Sequence, residues 1–222
     1  MPRIPEGQTV DKNTLAVFSR VARWGGRAAA TRVKKIIGSH LTDGMTVLDI
    51  GTGPASIPIY LKRFFPNVSF TGLDISIGML GKAKENRKIL GEEIDLLAGD
   101  GETLPFRPKS IDVITSFFSL HHMDRPENLL NEIDRVLKSN GIFLSIDFRR
   151  DMPAWLFRTL NILWQLIFFF SGGRFGIRDS IQSAWRSKEI NDIITQHNFC
   201  GFQTHTNLME LWVFRGLKTD AN

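Results

Sequence analysis

Three carboxylates, a glycine turn and a histidine pair are the residues of this chain whose types and spacing can do chemistry. Val47-Leu48-Asp49-Ile50-Gly51-Thr52-Gly53-Pro54-Ala55 is an apolar run that ends in an acid and two glycines one residue apart. Glycine lets backbone approach a ligand with no Cβ in the way, and Pro54 suits the first turn of a helix starting near Ala55. Asp74 stands in Gly72-Leu73-Asp74-Ile75-Ser76, 25 residues after Asp49. At the end of a second parallel strand, beside such a turn, an acid can accept both hydroxyl protons of a ribose; by itself it would read as a helix N-cap. Met79, one turn into the next helix, serves either the core or a nucleobase. Asp100, in Gly99-Asp100-Gly101-Glu102, can accept a hydrogen bond from an exocyclic base amine or simply close an Asp-Gly turn. His121 and His122 have the proton affinity for acid–base work near neutral pH, and His122 is the candidate base or orienting group for a second substrate.

Positioning these groups requires strands that end side by side. Short apolar or β-branched runs alternate with longer amphipathic ones, the pattern of βαβ units and a parallel sheet. Five strands are expected at Thr46–Ile50, Val68–Leu73, Ile94–Ala98, Ile111–Phe118 and Gly141–Phe148, with helices at Ala55–Phe65, Ile77–Leu90 and Pro126–Leu137. The segment from Asn13 to Leu41 reads as helical, broken at Gly25-Gly26. Pro153–Phe170 is mostly apolar, but Arg158, Asn161 and Gln165 interrupt it, so a buried or interfacial helix is expected rather than a span; the interfacial case would bring peripheral membrane contact. A basic loop at 171–176, a helix at Ser187–His197 and an antiparallel pair, Phe202–Thr206 with Leu208–Arg215, complete the chain.

Over residues 45 to 148 the sequence resembles the class I S-adenosylmethionine-dependent methyltransferases. The resemblance is carried by Asp49-Ile50-Gly51-Thr52-Gly53, Gly72-Leu73-Asp74-Ile75-Ser76 and Gly99-Asp100-Gly101. It continues through Leu104-Pro105-Phe106, Ser116-Phe117-Phe118-Ser119-Leu120-His121-His122-Met123 and Arg135-Val136-Leu137-Lys138-Ser139-Asn140-Gly141-Ile142. The Leu-His-His run is similar to the small-molecule group that includes ubiquinone and menaquinone biosynthesis methyltransferases. Ala55 replaces a frequent third glycine, and Ser139-Asn140-Gly141 replaces Pro-Gly-Gly; Asn140 is expected to take the positive φ that this turn needs. A dinucleotide site would instead want glycine where Ser56 stands.

The resemblance implies an α/β, Rossmann-like, seven-stranded, mostly parallel sheet with the last strand antiparallel and helices on both faces. It implies S-adenosyl-L-methionine as cofactor, held by Asp49, Gly51, Thr52, Gly53, Asp74, Ile75, Met79, Asp100, Gly101, Glu102, Phe117 and Ser119. Within one domain, residues 1–44 and 149–188 then cover the acceptor, 45–148 bind the cofactor, and 189–222 supply the last helix and strand pair. The reaction is an in-line displacement in which the protein positions and desolvates.

The net charge of +5 is divided unevenly. Residues 1–40 carry +6 and 149–188 carry +5, while the cofactor-binding middle is acidic. Those basic blocks coincide with the expected covers, where Phe18, Trp24, His121, His122, Arg149, Arg150 and Trp155 are candidate acceptor contacts. The expected acceptor is a small apolar or aromatic molecule carrying an acidic group. An RNA-modifying enzyme and a cofactor-binding module without catalysis are the alternatives; RNA is disfavoured because no RNA-binding appendage is recognisable. No metal is expected, since among the five histidines only His121 and His122 are close in sequence, and neighbours do not share a helical face. The single Cys200 excludes an internal disulfide and reads as buried filler, and a cytoplasmic location is expected.

Overall fold

The computed structural model describes residue 3 and residues 12–171 and 177–217. Its seven strands are β1 (Thr46–Ile50), β2 (Ser69–Asp74), β3 (Asp95–Ala98), β4 (Ile111–Phe117), β5 (Leu137–Phe148), β6 (Phe202–Thr206) and β7 (Glu210–Arg215). They form one sheet in the order β3-β2-β1-β4-β5-β7-β6, in which β7 runs antiparallel to both neighbours. The helices are α1 (Lys12–Ile37), α2 (Ser56–Phe64), α3 (Ile77–Leu90), α4 (Pro126–Val136), α5 (Ala154–Ser171), α6 (Ile177–Ser183) and α7 (Ser187–Gln196).

Alternation along the strands divides the core between the two faces of the sheet. Val47, Val113, Ile142 and Leu144 pack with Val33, Ile37, Ile59 and Ala83 of α1, α2 and α3. Leu48, Ile50, Ile114 and Phe143 pack on the opposite face with Leu129, Leu130 and Ile133 of α4 and Ile190 of α7. Apolar residues on both sides of each strand are what a doubly covered parallel sheet requires. Chain order reverses between β1 and β4, which opens a crevice at their carboxyl ends.

Several sequence expectations are corrected. Gly25 and Gly26 do not break α1. A Cβ on Gly26 would lie 2.7 Å from Ser56 Cβ and 3.3 Å from the Tyr60 ring, so this glycine lets α1 press onto α2. Ala55 does not begin a helix; it adopts a left-handed conformation, φ 54°, and α2 starts at Ser56. Asn140 is not in a positive-φ turn. The backbone of 137–140 continues β5, and Gly141 is needed for space, a Cβ there meeting Leu137 at 2.7 Å and the Asp112 carbonyl at 2.9 Å. Cys200 is exposed, because Phe199 takes the buried position in the turn before β6. The sequence reading also lacked α6. Of the basic loop predicted at 171–176, only Ser171, the end of α5, lies within the described residues. Among the described residues, no helix is long and apolar enough to cross a membrane.

Candidate active site at the carboxyl ends of the parallel strands

The glycine turn after β1 is tied to the ends of β2 and β4. Gly51, at φ 65°, faces Ser119 so closely that a Cβ would lie 1.8 Å from its hydroxyl oxygen. Gly53, at φ 53°, is open on its Cβ side, so a ligand can approach its backbone there. The Gly53 N–H donates to Asp74 Oδ2 at 2.7 Å and the Ser76 N–H to Oδ1 at 2.8 Å. Asp74 is therefore not the N-cap of α3. Ser76 holds that position, accepting from the Met79 N–H. Each Asp74 oxygen keeps further acceptor capacity, as a ribose diol would need.

Asp49 lies one strand away and is fully engaged by hydroxyls. Thr52 Oγ1 donates to it at 2.7 Å and Thr115 Oγ1 at 2.8 Å. Burial raises its pKa to about 6, against those two hydrogen bonds, with the Asp74 charge adding to the rise. Burial also raises the Asp74 pKa, opposed by the Ser76 and Gly53 N–H groups. Two acids so placed favour a cationic ligand, which would relieve the cost of their ionisation. Beside Asp74, Ile75 and Ile77 are 64% and 70% exposed, an apolar shelf that fits an adenine ring. Met79 is half-buried behind it. Open backbone, unspent carboxylate capacity and an apolar shelf fit S-adenosylmethionine.

On the far side of the crevice, Asp100 accepts from the Glu102 N–H at 2.9 Å in a tight turn. Gly101 is buried against Ile50 and Met123. The Glu102 carboxylate faces α4, accepting from the Arg125 N–H and from Asn128 Nδ2. Phe117 packs toward the core beneath α1 and α2. Phe118, which the sequence did not single out, holds a left-handed conformation at φ 51°. For a bulky side chain that is a strained backbone, a feature concentrated at functional sites. Its ring lies 4.8 Å from that of Phe148 at the end of β5.

Next to these rings is a polar pair that half escaped the sequence. His121 is buried, with Nδ1 at 2.8 Å from Asp147 Oδ1, and Asp147 also accepts from the His121 and Phe148 N–H groups. A carboxylate that accepts two N–H bonds makes Nδ1 the protonated ring nitrogen and Nε2 the basic one. His122 is exposed, and its ring centroid lies 4.1 Å from that of His121 with the two rings tilted by 41°. Asp147 was hidden in an apolar strand, and only its charge at an inward position could have marked it.

The remaining candidates divide. Phe18 is half-buried on α1, whereas Trp24 on the same helix is 76% exposed. Trp155 lies on the outer side of α5. Arg149 is occupied by Asp151 and the Asn207 carbonyl, and Arg150 turns inward to Glu189. Asn86, missed by the sequence, is fully buried and donates to the Pro54 carbonyl at 2.9 Å while Arg23 donates to its oxygen, so α3 and α1 together brace the glycine turn.

Known proteins are similar to this region in sequence and in fold. A family described as a methyltransferase domain matches residues 48–145, the span from β1 to β5 that builds the crevice. Over this span the chain is similar to the class I S-adenosylmethionine-dependent methyltransferases. The chain is 33% identical over 115 residues to a fatty-acid O-methyltransferase of Mycolicibacterium smegmatis, across 51% of this chain and 41% of that protein. It is 32% identical over 131 residues to a ubiquinone/menaquinone biosynthesis C-methyltransferase of Desulfotalea psychrophila, across 59% and 49%. The chain thus spans less than half of the length of these two relatives. Its fold is that of a solved S-adenosylmethionine-dependent methyltransferase of Aquifex aeolicus, with a TM-score of 0.66 at 19% identity over 93% of this chain and 98% of that one.

Proposed function

We propose that the protein is a methyltransferase that uses S-adenosylmethionine as donor and acts on a small apolar or aromatic acceptor that bears an acidic group. The observation that carries the reading is the pair of buried acids, Asp49 and Asp74, on either side of a glycine turn whose backbone is open at Gly53. When bound, the cofactor supplies a methyl group already activated on a sulfonium. Asp74 then accepts the ribose hydroxyls, Asp49 supplies opposite charge, and Ile75, Ile77 and Met79 flank the base. Gly51, Thr52 and Gly53 form the turn itself, with Asp100, Gly101, Glu102, Phe117 and Ser119 closing the far side.

On the acceptor side, the Phe118 and Phe148 rings exclude water and hold a flat or chain-like molecule by dispersion. Asp147 orients His121, whose ring centroid lies 4.1 Å from that of the exposed His122, and His122 is the group that takes up a proton leaving the acceptor. Similarity to a fatty-acid O-methyltransferase and to a ubiquinone/menaquinone biosynthesis C-methyltransferase supports an acceptor of lipid character. The outer face of α5, with Trp155, Ile162, Leu163 and Leu166 all exposed, fits a helix resting on the lipid surface from which such an acceptor comes.

Calorimetry tests the donor reading. S-adenosylhomocysteine should bind the wild type, and Asp74→Ala should weaken it at least about tenfold through two lost charge-assisted hydrogen bonds. No binding to the wild type, or equal binding to the variant, would overturn it.

A further inference from the structure

Arg3 precedes every motif of the site in sequence and yet reaches the loop that carries its histidines. Its side chain is 15% exposed, and all three guanidinium nitrogens are engaged. Nη2 donates to the His121 and Met123 carbonyls at 2.9 Å each, Nε to the Ser183 carbonyl at 2.7 Å and Nη1 to Asp124 Oδ1 at 3.1 Å. The guanidinium also lies over the Trp185 ring, 4.4 Å from its centroid, close enough for a cation–π contact. His121 and Met123 stand at the end of the 3-10 turn Leu120–His122, and Ser183 ends α6. The last carbonyls of a helix have no partner within it, and a cationic donor there satisfies them and meets the negative end of the dipole. One side chain thus closes two helical ends and joins them.

A loop this short takes its shape from what holds it on either side. Toward the sheet, the Phe118 N–H donates to the Ile146 carbonyl at 2.9 Å, and Asp147 accepts the His121 N–H at 2.8 Å. Within the turn, the His122 N–H donates to the Ser119 carbonyl at 3.0 Å and the Met123 N–H to the Leu120 carbonyl at 3.1 Å. Toward the cover, Arg3 takes the carbonyls on both sides of His122. The backbone that aims the exposed imidazole is therefore tied to the sheet through Asp147 and to α6 through Arg3. A guanidinium suits this task because its planar fork presents donors in several fixed directions, whereas an ammonium is a single point that cannot span Ser183, His121 and Met123 together. Asp124 adds little, being 66% exposed in its pair with Arg3.

We propose that Arg3 is a positioning residue of the acceptor side: by holding the His121 and Met123 carbonyls against the end of α6, it sets the direction of the His122 imidazole. It acts through His122 and not on the reacting atoms. This assignment rests on the reading of His122 as the group that takes up the acceptor's proton, and adds what aims it. Arg3, Ser183 and Trp185 all lie outside residues 48–145, the span that the methyltransferase-domain family matches. The device therefore belongs to the two segments that flank the cofactor-binding middle, and it locks one to the other across the histidine loop.

The test is amide hydrogen exchange and histidine NMR on the ligand-free wild type, Arg3→Gln and Arg3→Lys, with His122→Gln used to assign the His122 signal. In both Arg3 variants the His122 and Met123 amides should exchange at least about tenfold faster, since two charge-assisted hydrogen bonds to this turn are lost. The His122 Hε1 resonance should move as its ring leaves its place 4.1 Å from the His121 ring, while those of His40, His197 and His205 stay where they are. Asp124→Asn should leave both readouts near those of the wild type. A side chain that only adds global stability would speed exchange evenly over the sheet and leave the His122 resonance in place. The assignment fails on that result, and it fails if Arg3→Lys matches the wild type, which would reduce the effect to charge. It fails too if Asp124→Asn reproduces Arg3→Gln, which would move the role to the exposed ion pair. The spectra need neither cofactor nor acceptor, so a failed donor reading shows separately, as absent S-adenosylhomocysteine binding by a protein whose histidine signals respond as expected.

Discussion

At the scale of single residues, the glycine turn is where the chain places charge against its own stability. Asp49 is a carboxyl whose folded pKa, about 6, lies above its ordinary 3.8 because burial disfavours the anion more than Thr52 and Thr115 favour it. Between those two values the folded chain holds the proton more tightly than the unfolded one. Stability from this group is therefore present at low pH, declines as pH rises from about 4 to about 6, and stays absent above. The ceiling is roughly 3 kcal/mol, reduced in practice by relaxation around the buried group. Asp49→Asn removes the ionisation and keeps one acceptor for a threonine hydroxyl, while the other hydroxyl can rotate to accept from the new amide. We expect the variant to melt several degrees higher than the wild type at pH 7.5, an advantage that shrinks toward zero near pH 4. S-adenosylmethionine should bind it more weakly, because the opposing charge is gone. A melting difference independent of pH would show that folding does not shift the Asp49 pKa.

At the scale of elements, the covers of the crevice hold by shape as much as by polar contacts. Gly25 and Gly26 are neighbours in α1 with opposite surroundings: a Cβ on Gly25 meets nothing within 4 Å, and one on Gly26 meets Ser56 at 2.7 Å. Gly25→Ala should then raise stability by roughly 0.5–1 kcal/mol through helix propensity. Gly26→Ala should lower it by about 1–3 kcal/mol, since α1 must lift from α2. It should also weaken S-adenosylhomocysteine binding, because Ser19 and Arg23 of α1 and Ser56 of α2 meet Asn86, which braces the Pro54 carbonyl. Thermal melts of the two variants give the comparison, and destabilisation by both would remove the packing explanation. The contrast also marks what sequence can disclose. Strands and helices from Thr46 to Phe148 were legible within a few residues, because local hydrophobic period specifies them, and so were Asp49, Gly51, Gly53 and Asp74, because a turn between a strand and a helix is a local device. Whether two glycines break a helix depends on a partner thirty residues away. Likewise, Asp147 against His121, Asn86 against Pro54 and Arg150 against Glu189 are pairings across the fold that no local pattern records.

At the scale of the whole molecule, the segment proposed to cover the acceptor combines positive charge with exposed apolar side chains. The segment from Arg149 to Lys188 carries a net charge of +5, against an acidic cofactor-binding middle. Within it, α5 has two apolar faces. Leu156, Phe157, Leu160 and Trp164 pack inward with Phe148, whose ring meets Phe118, while Trp155, Ile162, Leu163 and Leu166 turn outward beside the exposed Arg158. One helix thus joins an exposed apolar face to the aromatic wall of the site. Basic charge around an apolar face with a tryptophan is complementary to an anionic lipid surface, and shallow burial of two aliphatic side chains there is worth about 1–3 kcal/mol. The protein should float with vesicles containing phosphatidylglycerol and do so poorly with pure phosphatidylcholine, and added salt should weaken the association. Ile162→Ser combined with Leu166→Ser should reduce flotation about tenfold, with S-adenosylhomocysteine affinity and melting temperature near those of the wild type, because both side chains are exposed before binding. Equal flotation of this variant would place the lipid contact elsewhere. A protein that stays at the bottom of the gradient with either vesicle would show that α5 does not rest on lipid, and an acceptor of lipid character would then have to reach Phe118 from solution.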